Sequence, residues 1–201
     1  MQRIGILGGT FDPPHIGHLI LAEYTLEALG LDRVLFVPVG DHPHKAARTR
    51  NGVHPRVAML RLAVQGNDKF EVSTVDIDRP GPHYSADTVA IIQSQYPEAS
   101  LHFVMGADNL RTLPTWTRVV EFYQSCRLAV MRREGEQVTA DMHDHLLPGL
   151  SDKIDLIDPP LLSVWLSSTS VVERIRQGRS VRYLVPDAVL NYIHEHRIYQ
   201  P

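Results

Sequence analysis

Short unbroken apolar runs alternate along this chain with longer stretches in which apolar residues return every three or four positions. The first rhythm fits a strand buried on both faces, the second an amphipathic helix. "RIGILGG" (3–9) is the first run and ends in glycines. Over 16–29, Leu19, Ile20, Ala22, Leu26 and Leu29 keep helical spacing, and Gly30 is a natural stop. "DRVLFVPVG" (32–40) predicts a second strand. Strand, helix, strand in that order predicts a parallel pair with a right-handed crossover.

The alternation continues. Helices are predicted over 55–66 and 85–96, and strands in "FEVSTVDI" (70–77) and "SLHFVMG" (100–106). "CRLAVMRR" (126–133), "KIDLI" (153–157) and "LLSVWLSS" (161–168) predict further strands, and 169–177 and 186–197 closing helices. The expected class is α/β, with a doubly wound, mostly parallel sheet of Rossmann-like type. One domain is expected over 1–201, with a small helical C-terminal part at about 169–201. The stretch 41–55 is polar, carries Lys45, Arg48 and Arg50, and has no apolar anchor before Val53, so it predicts a mobile loop.

Bulk properties narrow the partners. The 201 residues suffice for one sizeable core. A net charge of -3 gives no global attraction for nucleic acid. A single cysteine, Cys126, excludes an intrachain disulfide and fits a reducing compartment. No apolar run approaches the ~20 residues of a membrane helix, and no export signal precedes the first strand. The expectation is a soluble cytoplasmic protein with neither nucleic-acid nor membrane partners. Assembly as a homo-oligomer stays open.

The candidate chemistry sits where the first strand meets the first helix, in "GGTFDPPHIGHL". Ligands of an open parallel sheet bind beyond the carboxyl ends of its strands. Gly8 and Gly9 lie at that edge, where glycine lets backbone N–H groups approach an anion. The helix behind them offers its unpaired N–H groups and the positive end of its dipole. His15 and His18 are one turn apart, so both rings share a side. A neutral imidazole can donate to a phosphate oxygen, and a protonated one adds charge. The glycine order G-x-x-G-G differs from the dinucleotide pattern G-x-G-x-x-G, and no G-K-[ST] phosphate loop occurs.

"GGTFDPPHIGHL" resembles the signature of the nucleotidyltransferases with an H-x-G-H motif, and among them the bacterial nicotinate-nucleotide adenylyltransferases. "PHK" (43–45), "YSADT" (84–88), "MGADNLRTLPTW" (105–116), "LSST" (166–169) and "RYLVPDAVLNYIHEHRIY" (182–199) follow in the family's order, so the likeness spans nearly the whole chain. It implies a Rossmann-like nucleotidyltransferase that joins ATP to nicotinate mononucleotide, giving deamido-NAD and pyrophosphate in NAD biosynthesis. By this resemblance Gly8, Gly9, Thr10 and Phe11 line the ATP phosphates and ribose, and His15 and His18 hold the phosphates and the transition state. Gly106 and Asp108 meet the ribose, and Ser167, Ser168 and Thr169 the phosphates. Tyr84, Ser85, Ala86, Trp116 and Thr117 form the pyridine-nucleotide pocket, and Lys45 a phosphate-binding lid. Magnesium enters with ATP, held by phosphates and water.

Plainer roles remain open for several of these. Asp108 can cap the following helix, Trp116 can be core, and Lys45 a solvated lysine. The family pattern S-S-T-x-I-R is interrupted because Val172 stands where the arginine belongs, leaving Arg174 or Arg176 as substitutes. The pairs His42/His44, His143/His145 and His194/His196 lack the further ligands of a structural metal site. Two other functions stay in play. One is an adenylyltransferase preferring nicotinamide mononucleotide or phosphopantetheine, the other a nucleotide-binding regulatory module without chemistry.

Overall fold

Alternation of side chains across a pleated strand decides this architecture. In the computed structural model, which describes residues 1–40, 50–132, 137–158 and 166–200, six parallel strands form one sheet in the order β3-β2-β1-β4-β5-β6. They are β1 (Arg3–Gly9), β2 (Arg33–Pro38), β3 (Phe70–Val72), β4 (Ser100–Gly106), β5 (Arg127–Met131) and β6 (Ile154–Ile157). Ile4, Ile6, Leu35, Val37, Phe103 and Val130 point to one face, and Leu7, Val34, Phe36, Val104 and Ala129 to the other. Both faces are therefore apolar and both must be covered, as in parallel sheets generally.

Helices supply the two covers. On the first face lie α3 (Ser85–Gln95), α4 (Ala107–Thr112) and α5 (Val119–Ser125), through Val89, Ile92, Leu110 and Phe122. On the second lie α1 (Ile16–Ala28) and α2 (Val53–Val64), through Ala22, Leu26 and Leu60. The outer side of α2 then packs against α6 (Ser168–Arg176) and α7 (Asp187–Glu195), burying Met59, Val171, Val172, Val189 and Ile193 in a third cluster. Among the described residues, no helix is long and apolar enough to cross a membrane.

Three expectations need correction. The strand expected over 70–77 stops at Val72. The chain turns at Thr74, whose carbonyl accepts from the Ile77 and Asp78 N–H groups and whose hydroxyl donates to Asp78. Continued alternation cannot extend a strand whose backbone groups are already bonded in a turn. The strand expected over 161–168 lies mostly outside the described residues, and at its described end Ser167 is the N-cap of α6 and Ser168 its first residue. The second helix begins at Val53 rather than at 55, because Pro55 sits in its first turn, where a missing N–H costs nothing.

Strand order reverses between β1 and its two neighbours. β2 and β3 lie on one side, and β4, β5 and β6 on the other. A crevice opens at such a switch point, beyond the carboxyl ends of β1 and β4.

Candidate active site

Three cavities meet at that switch point. One, of about 330 Å3, is lined by Gly8, His15, His18, Gly106, Asp108 and Ser168 among others. A wider cleft of about 550 Å3 lies on the other side of β1, walled by Thr10, Asp76, Tyr84, Ser85, Trp116 and Thr117. The two share Gly8, Val104, Met105 and Asn109. A smaller recess of about 260 Å3 is bounded by Thr10, Asp12, His18, Arg50, Ser168 and Thr169.

The histidine pair is built by the helix start itself. His15 is the N-cap of α1 in extended conformation, and its own N–H donates to His18 Nδ1 at 3.1 Å. That bond assigns the proton of a neutral His18 ring to Nε2, leaving a donor free for a ligand. The two rings stack with centroids 3.7 Å apart, and the Phe11 ring meets His18 edge-on at 4.9 Å. Gly17 makes room for this. A Cβ there would sit 3.0 Å from His15 Nδ1, tighter than nearly all real contacts. Burial pushes His15 down to about 4 and His18 well below the usual imidazole range, with the neighbouring His15 adding to the second effect. Both imidazoles are therefore neutral at physiological pH and act as dipoles.

Around the pair, the first turn of α6 presents Ser167, Ser168 and Thr169. Ser167 caps that helix by accepting from the Ser170 N–H at 3.1 Å, and the Ser168 hydroxyl donates to the Pro13 carbonyl at 2.8 Å. Asp108 is exposed at the rim and curls back over Gly106, whose absent Cβ would lie 2.5 Å from its Oδ1. The N-cap of α4 is Gly106, and no side chain caps that helix, so the capping role considered for Asp108 is not realised.

In the wide cleft, Trp116 does two things. Its indole walls the cavity and also packs on Phe122 at 5.5 Å and edge-on to Phe103 at 6.3 Å. The core alternative and the pocket alternative thus both describe it. Ala86 is buried beneath the cleft, with its N–H in the first turn of α3. Lys45 lies outside the described residues. Val172 is fully buried in the helical cluster, Arg174 donates twice to the Ser180 carbonyl, and Arg176 lines none of the three cavities. Arg50 is the arginine that does reach the recess beside α6.

Several site residues escape sequence reasoning. Asp12, 2% exposed, accepts from the Arg50 and Asn51 N–H groups, the Asn51 amide and the Tyr199 hydroxyl. Arg56, fully buried on α2, donates to the Thr10 and Val39 carbonyls at 2.8 Å each and so joins the edges of β1 and β2. Removing it would break both of these bonds across the carboxyl edge of the sheet. A signal for Arg56 exists: it heads the apolar stripe Met59, Leu60, Ala63 at helical spacing, where a charge needs buried partners. Asp76, in the cleft wall, accepts from Arg79 and from the Thr88 hydroxyl.

Comparison with known proteins adds the lineage. A model of the cytidylyltransferase-like family matches residues 6–174. With the six-stranded sheet and the crevice at its switch point, this makes the chain a nucleotidyltransferase, an α/β enzyme of that family. A protein of Thermomicrobium roseum named a probable nicotinate-nucleotide adenylyltransferase is 42% identical over 200 residues, covering 100% of this chain and 92% of its own. A protein of Roseiflexus sp. with the same name is 42% identical over 197 residues, covering 98% of each. The chain belongs to the nicotinate-nucleotide adenylyltransferase family. Its fold matches the Plasmodium falciparum nicotinic acid mononucleotide adenylyltransferase complexed with NaAD, with a TM-score of 0.82, 16% identity, and coverage of 99% of this chain and 98% of that one.

Proposed function

We propose that this protein transfers the adenylyl group of ATP to nicotinate mononucleotide, releasing pyrophosphate and deamido-NAD. The observation that carries the reading is the meeting of two cavities at Gly8, one lined by neutral histidines and the other by Trp116. A nucleotide triphosphate in the first and a pyridine nucleotide in the second would bring two phosphates together at the β1 edge. Adenosine ribose would lie by Gly106 and Asp108, and the triphosphate would run from Gly8, Gly9 and Thr10 towards Ser167, Ser168 and Thr169. Phe11 holds the His18 ring edge-on.

An oxygen of the acceptor phosphate attacks the α-phosphorus in line. The new O–P bond forms as the bond from the α-phosphorus to the bridging oxygen breaks, and pyrophosphate leaves with the electron pair. The attacking oxygen is already anionic, so no general base is needed. The protein positions two anions and stabilises the charge that spreads over the non-bridging oxygens. His18 Nε2–H and the backbone N–H groups at the glycine turn are the donors, with His15 stacked behind His18 to fix its ring. Magnesium would arrive on ATP and keep phosphate and water oxygens as its ligands. When bound, that ion supplies charge neutralisation on the leaving pyrophosphate.

On the acceptor side, the indole of Trp116 offers a face for the pyridine ring. N–H groups near Ala86 and Thr117 can receive its carboxylate, with Tyr84 and Ser85 closing the wall. Lys45 would cover the phosphates. The deciding experiment measures pyrophosphate release from magnesium-ATP with nicotinate mononucleotide, nicotinamide mononucleotide or phosphopantetheine. Release with the nicotinate form, at least about tenfold over the amide in kcat/KM, is expected where a carboxylate meets fixed donors. Equal rates with the amide overturn the acid preference, and ATP binding without release from any acceptor overturns the transfer reaction.

A further inference from the structure

The C-terminal segment 182–199 matches no catalytic role, yet it bonds to the chain that builds the histidine recess. The Ile16 N–H, at the mouth of α1, donates to the Leu184 carbonyl at 2.9 Å. The Tyr199 hydroxyl donates to Asp12 Oδ1 at 2.5 Å, across 187 positions of sequence. Tyr199 is 7% exposed, and its φ of 65° lies in the left-handed region that L side chains rarely occupy. Such a conformation persists only where its surroundings hold it.

Asp12 is the hub of this contact. Its Oδ2 accepts the Arg50 N–H at 2.6 Å and the Asn51 N–H at 3.3 Å, and its Oδ1 accepts the Asn51 amide at 2.8 Å besides the phenol. One buried carboxylate thus fixes three strands of chain: the turn after β1, residues 50 and 51 ahead of α2, and the C-terminus. Asp12, Arg50 and His18 line the same recess as Ser168 and Thr169, while Tyr199 does not line it. Tyr199 therefore acts on that recess only through Asp12. Burial and the adjacent carboxylate both raise the phenol above its ordinary range, so it stays protonated and keeps donating throughout the neutral range.

We propose that Tyr199 is a positioning residue of the triphosphate site: its hydroxyl orients Asp12, and Asp12 sets the backbone that carries Arg50 and the residues around His18. Loss of the hydroxyl lets the carboxylate rotate within a pocket built for four donors. The recess then loses the placement of its cation, while the Trp116 cleft is untouched. The inference rests on the proposed assignment of ATP to the histidine side.

The test is Tyr199→Phe, which keeps the ring in its apolar cluster and removes one oxygen. Calorimetric titration with α,β-methylene-ATP and magnesium should show a dissociation constant about tenfold weaker, the loss expected for one hydrogen bond to a charged group. Binding of nicotinate mononucleotide should stay within about twofold, because no bond of the cleft is changed. Asn51→Ala, which removes another donor to the same carboxylate oxygen, should give the same nucleotide-selective loss. Leu190→Ala loosens the C-terminal helices without touching Asp12. It should lower the melting temperature and leave nucleotide binding within about twofold. Unchanged nucleotide affinity in Tyr199→Phe overturns the proposal. An equal loss in Leu190→Ala also overturns it, since general loosening would then explain both. If the wild-type protein binds the analogue but releases no pyrophosphate, the transfer reaction fails while this titration still decides the role of Tyr199.

Discussion

The larger histidine cavity and the tryptophan cleft share Gly8, Val104, Met105 and Asn109, yet they are made by opposite means. The histidine side takes its central groups from one turn and one helix start, and these are dipoles: helix-start N–H groups and two imidazoles kept neutral by burial, with charge only around them at Asp108 and Arg132 and, in the smaller recess, at Asp12 and Arg50. The cleft is assembled from segments far apart in sequence, 8–10, 37–39 and 76–117, and behind its Asp76 wall lies a run of ion pairs. Glu121, Arg118, Asp87, Arg79 and Asp76 form one chain of alternating charge, in which Arg118 pairs with both Asp87 and Glu121 and Arg79 with Asp76. Dipoles fixed in place cost no reorganisation when charge develops, which suits the side where bonds change. Exposed ion pairs contribute little to stability, which suits a wall that admits and releases a substrate.

The sharpest way to break this contrast is His18→Ala. If the recess stabilises the transition state, turnover should fall by about 10²–10³, as when one oxyanion donor is removed, while nicotinate mononucleotide binding changes by no more than about threefold. Single-turnover rates with saturating substrates would measure this. Losses of equal size in turnover and acceptor binding would show that the two cavities are one site without division of labour.

Trp116→Ala tests the other side and should have the next largest effect. Truncation removes the aromatic wall, so KM for nicotinate mononucleotide should rise about 10- to 100-fold, the range of one stacked ring. KM for ATP should move by no more than about threefold, because Trp116 lines the cleft and not the histidine cavity. The packing of Trp116 on Phe122 means the variant also loses stability. A melting curve must therefore accompany the kinetics, and a parallel rise in both KM values would point to collapse of the wall rather than loss of stacking.

How legible each region was follows from how it is built. The strand runs announce themselves because a parallel sheet is buried on both faces, so apolar residues crowd at consecutive positions such as 34–37. The recess was legible because Gly8, Gly9, His15, Gly17 and His18 lie within one turn and one helix start. Asp12 stood in the same motif, but its partners Asn51 and Tyr199 are contacts of tertiary structure, and no spacing rule connects residue 12 with residue 199. Arg56 could have been found as a charge on an apolar stripe. The run of ion pairs could not, because Arg79, Asp87 and Arg118 each look like ordinary surface charges until folding brings them together. Val172 shows the limit of reading by likeness. Val172 is buried in the helical cluster, Arg174 is bonded to the Ser180 carbonyl, Arg176 lines none of the cavities, and the cation at the smaller recess is Arg50.

The smallest expected effect concerns the neutrality of the histidines. His15 titrates near 6.5 when unfolded and about 4 when folded, and His18 is displaced in the same direction. Between those values the unfolded chain binds protons that the folded one does not, so folding stability falls as pH drops from 6.5 towards 4 and is flat with respect to these groups above 6.5. Thermal melting across that window should show a decline that is shallower in His15→Asn, which keeps a polar group beside His18 but cannot titrate. Catalysis should respond differently: no activity limb near pH 6.5 should arise from the histidines, since both are already neutral there. A sigmoid loss of kcat centred near 6.5 and abolished by His18→Asn would mean that a protonated imidazole does the work. The recess would then use charge, like the ion pairs behind the cleft, rather than fixed dipoles.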